Sequence, residues 1–501
     1  MSSLGPLRAI SIVSSSQVVN IIISIIRMKL IAVMLGPAGV GLLGVFNNIK
    51  DIGSVLGGLG LATSGVRQIA QDSKCLDTQY KTRKLLITSF VIQGGLSALV
   101  IWLMRDILTN QFLAGSIDAR DIGVIAIAVW VGLVASAMSA VIQGMRRIAD
   151  LVWVMVSGAF IGTVIGLVAV LVLEDQGLPY LILALAFGQL ISAIWFLRRI
   201  EKPMQCSAFL LQEQISKWGS MVRIGIAFMS GALLTTATLL LVRGMINQRL
   251  GTDALGQFEA AWALSITYIG FVLTAMSTDY FPRLSNAIND HKVANAMIND
   301  QLQLALILGG PLILVTIGLA PIMLNILYSV EFSNASSLLQ MMTLGNLFKL
   351  VSWSLGFTVV AKGRSGLFML IELSFNLSFI GFLWWQIDNF SSQIIGVAFI
   401  FAYAVHMIAT FIAARSMVDF KWEKISLWLL LSYSVSVVAL FFLARAAPIV
   451  GGIAALALAG FGVVLGLRFL IATRGHSNQI ARRIENFFEF IGWRIHSNAQ
   501  E

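Results

Sequence analysis

Apolar stretches long enough to cross a bilayer as helices, roughly 20 residues each, recur along this chain in two sets of six. Each stretch of the second set begins about 215 residues after its counterpart in the first. The first set falls near residues 10–35, 40–66, 85–105, 122–142, 151–173 and 178–197, the second near 222–247, 256–281, 302–328, 335–361, 366–387 and 393–414. Two more, near 426–444 and 448–471, have no counterpart. Inside lipid every backbone N–H and C=O needs a partner within the chain, so such stretches become helices. The pattern predicts an all-α integral membrane protein of about 14 transmembrane helices, built as two six-helix repeats plus two C-terminal helices. The expected parts are an N-terminal lobe (1–200), a cytoplasmic amphipathic linker (201–221), a C-terminal lobe (222–415), two additional transmembrane helices (426–471) and an amphipathic cytoplasmic helix (477–495).

One short motif supports the repeat at the level of residues. Leu35-Gly36-Pro37-Ala38-Gly39-Val40-Gly41 follows the first stretch, and Leu250-Gly251-Thr252-Asp253-Ala254-Leu255-Gly256 stands 215 residues later. Both strings are expected to turn the chain sharply and start the next helix, a task suited to glycine.

With 58% hydrophobic and 12% charged residues and a mean hydropathy of +0.87, a soluble domain of this length is excluded. The first apolar run is too long for a signal peptide and leads directly into a second, so no cleavable leader is expected. Cytoplasmic loops retain Lys and Arg. Placing both termini inside puts 25 of the 34 Lys and Arg residues on the cytoplasmic side, among them Arg8, Arg67, Lys81, Arg198 and Arg223. Only Arg105, Arg120, Arg249 and Arg445 then fall outside. The +10 net charge is therefore a topology signal, and no nucleic-acid partner is needed to explain it.

Cys75 and Cys206 both fall on the cytoplasmic side, where thiols stay reduced. No P-loop, GxSxG, HExxH or paired-cysteine string occurs, so no cofactor, metal site or catalytic residue is expected, and the chain reads as a non-enzyme. The longest external stretch, about residues 106–121, is too short for a catalytic domain. His291, His476 and His496 lie in cytoplasmic segments, and the intramembrane His406 reads as a packed residue. Two segments have amphipathic helical spacing at the cytoplasmic surface: Ile480, Ile484, Phe487, Phe488 and Ile491, and Phe209, Leu210, Ile215 and Trp218 beside Lys217. Both read as interfacial anchors.

Function is sought in the charges left inside the membrane, each of which costs a few kcal/mol unless it meets water or a partner. The basic set is Arg27, Lys29, Lys50, Arg243 and Lys349; the acidic set is Asp51, Glu259 and Glu372, with Asp279 nearer a helix end. Helical spacing places Ser16, Asn20 and Arg27 on one face, and Asn47, Asp51 and Ser54 on another. Thr236 and Arg243 share a third face, Thr343, Asn346 and Lys349 a fourth, and Glu372 and Asn376 a fifth. A cavity between the halves is the simplest common destination, and the basic excess suits anionic cargo. Arg27, Lys50, Arg243, Lys349 and Asn47 are the candidate substrate-binding residues, with Asp51, Glu259 and Glu372 balancing charge or coupling. The alternative is that some are structural pairs, Arg27 with Glu259 or Lys349 with Glu372, whereas Lys50 and Asp51 are adjacent and diverge. Lys29 sits close enough to a helix end to snorkel. Gly53, Gly57, Gly58, Gly60 and Gly65 suit either close helix packing or bending. Trp262 and Trp353 are candidates for sugar stacking or packing, and Trp384 and Trp385 for an interface belt.

The short N-terminal tail, the long first helix ending in Leu35–Gly41, the polar second helix and the basic loop after Arg67 resemble the Wzx-type O-antigen and polysaccharide flippases of the multidrug/oligosaccharidyl-lipid/polysaccharide exporter superfamily. The resemblance implies a V-shaped, two-lobed bundle working by alternating access in the bacterial inner membrane. Its implied cargo is an undecaprenyl-pyrophosphate-linked oligosaccharide, and its implied partners are membrane lipids and other polysaccharide-assembly membrane proteins. Many such flippases have twelve spans; fourteen resembles lipid II flippases, whose extra pair forms a groove for the lipid tail. Two rivals stay open: a cation-coupled multidrug exporter of the same superfamily, and a membrane glycan polymerase or ligase.

Overall fold

The computed structural model describes residues 6–112, 118–199 and 211–474, with side chains described there except at 6–16, 74, 211–213, 224, 227, 228, 275, 278 and 469–474. Ser16, Cys206, Phe209, Leu210, His476, His496 and the amphipathic segment 477–495 lie outside what it describes. Within the described residues the regular elements are helices. They are α1 (Pro6–Gly58), α2 (Leu61–Gln71), α3 (Leu76–Leu103), α4 (Arg105–Phe112), α5 (Ala119–Gly144), α6 (Ile148–Leu173) and α7 (Gly177–Leu197). There follow α8 (Leu211–Ala287), α9 (His291–Leu327), α10 (Ala335–Ala361), α11 (Ser365–Trp385), α12 (Ser392–Val418), α13 (Lys424–Ala446) and α14 (Pro448–Arg474).

Eleven stretches among them are long and apolar enough to cross a membrane. Gln17–Gly58, Ile148–Leu197 and Met229–Thr274 run to 42, 50 and 46 residues, about twice what one crossing needs. Each is interrupted: at Gly36, at the short 3₁₀ turn Glu174–Gln176 and at Gly251. Divided there, the stretches approach the segment pattern read from the sequence.

The two glycine breaks are the repeat made visible in the backbone. Gly36 has φ 62°, ψ −162° and Gly251 has φ 87°, ψ 174°, a region open essentially to glycine alone. Each motif kinks the chain at a single residue and lets the helix resume, where the sequence suggested a sharper turn. The two copies also lie against each other. A Cβ on Gly41 would sit 2.7 Å from the Thr252 carbonyl oxygen and 2.8 Å from the Gly256 nitrogen, and one on Gly256 would collide with the Pro37 carbonyl.

The chain forms two compact units, Met1–Ala260 with Asn325–Phe332, and Ala261–Leu324 with Ser333–Glu501. In the first, α5 packs against α3 and α7, and α6 lies along α7. Gly158, Gly162 and Gly166 form a small-residue ridge on α6 that lets the two backbones approach: a Cβ on Gly158 would lie 2.8 Å from the Gln189 Cα, and one on Gly162 2.8 Å from the Ala184 carbonyl. Gly53, Gly57 and Gly65 serve packing too, against Ile101, Ser97 and Leu86, while Gly60 takes a left-handed φ of 67° where α1 gives way to α2.

In the second unit α12 packs against α10 and α11, and α13 against α14. The last two helices enter the unit's core through Tyr433, Val437, Leu440, Ala455 and Ala459. Their lead-in is held by a polar ladder on α9. Lys421 N donates to Asn295 Oδ1 at 2.8 Å, Asn299 Nδ2 donates to the Lys421 carbonyl at 2.9 Å, and Gln303 Nε2 donates to Ser426 Oγ at 2.9 Å.

Gly256→Ala forces backbone apart at the crossing of the two motifs and is expected to destabilise the protein by about 1–3 kcal/mol. Gly366→Ala, with open space around its added methyl, is expected to be neutral. Thermal unfolding of the two variants in detergent checks the contrast, and equal midpoints would refute it.

Candidate functional site

In the first unit, the end of α1 together with α2, α5, α7 and the early part of α8 encloses a cavity of about 420 Å³. Lys50, Asp51 and Ser54 reach it from α1, Thr63 from α2, Ser136 from α5 and Gln189 from α7, while Met229 and Ala232 of α8 close one wall. Lys50 Nζ lies 3.2 Å from Asp51 Oδ1. Adjacent Cα–Cβ bonds do diverge on a helix, but four flexible methylenes let the ammonium fold back, so this pair forms after all. Asn47 is occupied along its own helix, its amide donating to the Leu43 carbonyl at 3.0 Å.

Arg243 and Glu259 form the most enclosed ion pair in this unit, with side chains 9% and 11% exposed. Both lie on α8, on opposite sides of the Gly251 break. Arg243 Nη2 donates to Glu259 Oε2 at 2.9 Å, and Arg243 Nε donates to Glu259 Oε1, the two-pronged geometry that suits a guanidinium and a carboxylate. Space for the carboxylate comes from Gly44, where a Cβ would stand 2.6 Å from Glu259 Oε1. Gly44 is the repeat counterpart of Glu259, 215 residues earlier.

Arg27 therefore does not pair with Glu259. Its Nη1 donates to Thr163 Oγ1 at 3.1 Å and its Nη2 to Ser24 Oγ at 3.3 Å, and no carboxylate among the described residues lies within ion-pair reach. Lys29 does not snorkel freely: its ammonium donates to the Asn325 carbonyl at 3.0 Å and to the Tyr328 carbonyl, capping the end of α9, where the helix dipole favours a cation.

In the second unit Lys349 (α10), Glu372 (α11), and Tyr403 and His406 (α12) converge. The Lys349 ammonium stands 5.5 Å from the centre of the Tyr403 ring, and His406 Nε2 lies 3.8 Å from Glu372 Oε1. His406 Nδ1 is buried without a partner. No Lys349–Glu372 contact reaches ion-pair distance. The rest of the α10 stripe is structural: Asn346 Nδ2 donates to Ser265 O at 2.8 Å and to Ser265 Oγ at 2.9 Å, and Thr343 is fully buried. Asn376 is folded back on the Glu372 carbonyl at 2.7 Å. Trp353 packs on Phe357 with ring centres 4.4 Å apart, and Trp262 meets Phe399 edge-on at 5.8 Å, so both are packed. Trp384 and Trp385 are exposed, and Asp279 pairs with Arg283 at 2.8 Å on the surface.

Spacing alone did not single out a network near the start of α8. Lys217 Nζ donates to Asp72 Oδ2 at 2.7 Å and to Thr82 Oγ1 at 2.6 Å, and Gln68 Nε2 donates to Asp72 Oδ1 at 3.1 Å. Burial alone would raise the Asp72 carboxyl; the hydrogen bonds from Lys217 and Thr82 outweigh it and hold it below the usual carboxylate range.

Removing one partner of a buried pair leaves an uncompensated charge. Arg243→Ala is thus expected to destabilise by about 3–5 kcal/mol, and Arg243→Ala with Glu259→Ala by clearly less than the two single changes combined. A double-mutant thermal-stability cycle checks this; additive losses would show that the pair is not coupled.

The helical, multiply crossing architecture of the described residues defines a polytopic membrane protein, and solved structures agree on that fold. An inward-facing multidrug resistance MATE family transporter of the MOP superfamily aligns with a TM-score of 0.66 at 14% identity, over 82% of this chain and 98% of that one. The lipid II flippase MurJ in an inward closed conformation aligns with a TM-score of 0.65 at 14% identity, over 91% of this chain and 99% of that one. A sequence model of the polysaccharide biosynthesis protein family matches residues 7–288, more than half of the chain, and the chain belongs to that family. The lipid III flippase of Escherichia coli (strain K12) is 23% identical over 408 residues, 78% of this chain and 94% of that protein. The Shigella flexneri lipid III flippase matches equally.

Proposed function

We propose that the protein is a flippase that moves an undecaprenyl-pyrophosphate-linked oligosaccharide across the bacterial inner membrane by alternating access, with fourteen crossings and both termini cytoplasmic. The observation that carries this reading is the distribution of charge within the crossing segments. Asp51, Glu259 and Glu372 each have a basic neighbour, in Lys50, Arg243 and His406, whereas among the described residues Arg27 has only hydroxyl partners. A cation without a counter-ion favours an anionic headgroup, since a pyrophosphate leaving water needs fixed positive charge and hydrogen-bond donors. Cationic drugs would need acids without a fixed cation beside them, and Asp51 and Glu259 each have one. The match to lipid III flippases, which are named for a lipid cargo, supports the same cargo class.

In this reading Arg27 is the principal contact for the pyrophosphate, Lys50, folded onto Asp51 at the cavity wall, faces the uncharged part of the cargo, Lys349 is the candidate cargo contact of the second unit, and Arg243 is held by Glu259 until a phosphate competes for it. Asn47 stands one turn from Lys50 and orients cargo only if it releases the Leu43 carbonyl. Glu372 with His406 is the candidate coupling pair. Membrane lipids and other polysaccharide-assembly proteins are the partners this activity implies.

In a null strain, leaflet-specific labelling of the undecaprenyl-linked glycan is expected to show accumulation on the cytoplasmic face. Wild-type protein restores outer-leaflet glycan, and Arg27→Ala, at equal membrane abundance, is expected to restore about a tenth or less, as loss of a charged hydrogen bond to phosphate implies. Normal leaflet distribution in the null strain would discard flipping, and altered glycan chain length with normal distribution would favour a polymerase or ligase.

The last two helices are assigned the lipid tail. With α9 they border an apolar groove of about 520 Å³ lined by Ile307, Leu314, Trp428, Tyr433, Phe461 and Leu465. Trp428→Ala with Phe461→Ala, two exposed groove residues outside the core of the unit, is expected to reduce export at normal protein level; unchanged export would reject this role.

A further inference from the structure

Four polar side chains enter the cavity of the first unit from four different helices: Ser54, Thr63, Ser136 and Gln189. Hydroxyls within helices commonly fold back onto the carbonyl four residues earlier. Ser64, Ser139 and Thr236 do so in this protein, at 3.4, 2.9 and 2.7 Å. Ser54, Thr63 and Ser136 make no hydrogen bond with the described residues, and neither does Gln189. Thr63 is exposed and Ser54, Ser136 and Gln189 are half-buried, so their donors and acceptors are open to water or to a ligand that enters the cavity.

Charge narrows what that ligand is. Lys50 and Asp51, on the same wall, neutralise each other at 3.2 Å, so the cavity lacks the net positive charge an anion requires. A hydrocarbon chain would leave the four polar groups without partners, at a cost for each. A ligand that is uncharged, rich in hydroxyls and apolar on its ring faces satisfies both the polar groups and the largely apolar remainder of the wall. That is the chemistry of a sugar, and about 420 Å³ lies within the range of small-ligand sites, roughly 300–1,000 Å³.

We propose that this cavity is a sugar-binding subsite, in which Ser54, Thr63, Ser136 and Gln189 read the hydroxyls of the transported glycan while its pyrophosphate is held elsewhere. The proposal rests on the flippase reading and assigns these four residues to specificity. A site built to hydrogen-bond hydroxyls also discriminates strongly against cargo that lacks them.

The test uses the full-length protein in nanodiscs and two probes: undecaprenyl pyrophosphate without sugar, and the glycan-bearing form isolated from the null strain. Wild type is expected to bind the glycosylated lipid about tenfold or more tightly than the bare one, the equivalent of two or so hydrogen bonds. Ser136→Ala with Gln189→Ala is expected to bring the glycosylated lipid down to the affinity of the bare lipid and leave the bare lipid unchanged. Gly132→Ala is a second, independent variant: its added Cβ meets only the Ala186 Cβ at 3.9 Å, an ordinary contact, so it takes up cavity space, and the same selective loss is expected. Equal binding of both lipids by wild type, unchanged discrimination in both variants, or a parallel fall in both affinities would each overturn the sugar subsite while leaving flipping intact. Binding of neither lipid by wild type would remove the subsite together with the function on which it rests.

Discussion

A hydrocarbon interior offers charges no water, and each one placed there costs a few kcal/mol unless it is matched. Much of the internal chemistry of this protein follows from how that demand is met. Arg243 and Glu259 meet it by a two-pronged pair, and Lys29 by capping the carbonyls that end α9. Lys50 and Asp51 meet it by folding toward each other at a cavity wall. Among the described residues Arg27 has two hydroxyls for partners. Such partners occupy two of a guanidinium's five N–H donors without cancelling its charge, which leaves an attractive field for an anion.

The repeat supplies the framework in which these charges sit. Gly36 and Gly251 take backbone angles that side chains disfavour, and the helices resume directly after them. The motif copies touch through Gly41 and Gly256, and the same correspondence puts Gly44 opposite Glu259. One copy thus gives up a side chain so that the other can hold a buried carboxylate. An exact repeat would have placed either two glycines or two acids there, and neither arrangement makes the pair with Arg243.

Helical periodicity groups polar residues on a helix face but does not reveal their partners. Thr343, Asn346 and Lys349 share a face by spacing, yet Asn346 is consumed by Ser265 while Lys349 alone reaches Tyr403. Asn47 and Asn376 return to their own helices. Two features had readable signals that went unused. The spacing of Gly158, Gly162 and Gly166 marks a close helix crossing, and Asn295, Asn299 and Gln303, four residues apart, mark a polar ladder. The Lys217–Asp72 contact had no such signal, because its residues are 145 positions apart.

Composition, segment length and the recurrence of the glycine motif were enough to define a multiply crossing helical membrane protein with an internal repeat, because those properties are imposed residue by residue by the bilayer and by backbone sterics. Which cations keep their charge available was decided by the tertiary structure alone. Pairing depends on which side chains from distant parts of the chain come within a few ångströms of each other, and a one-dimensional spacing rule carries no information about that distance.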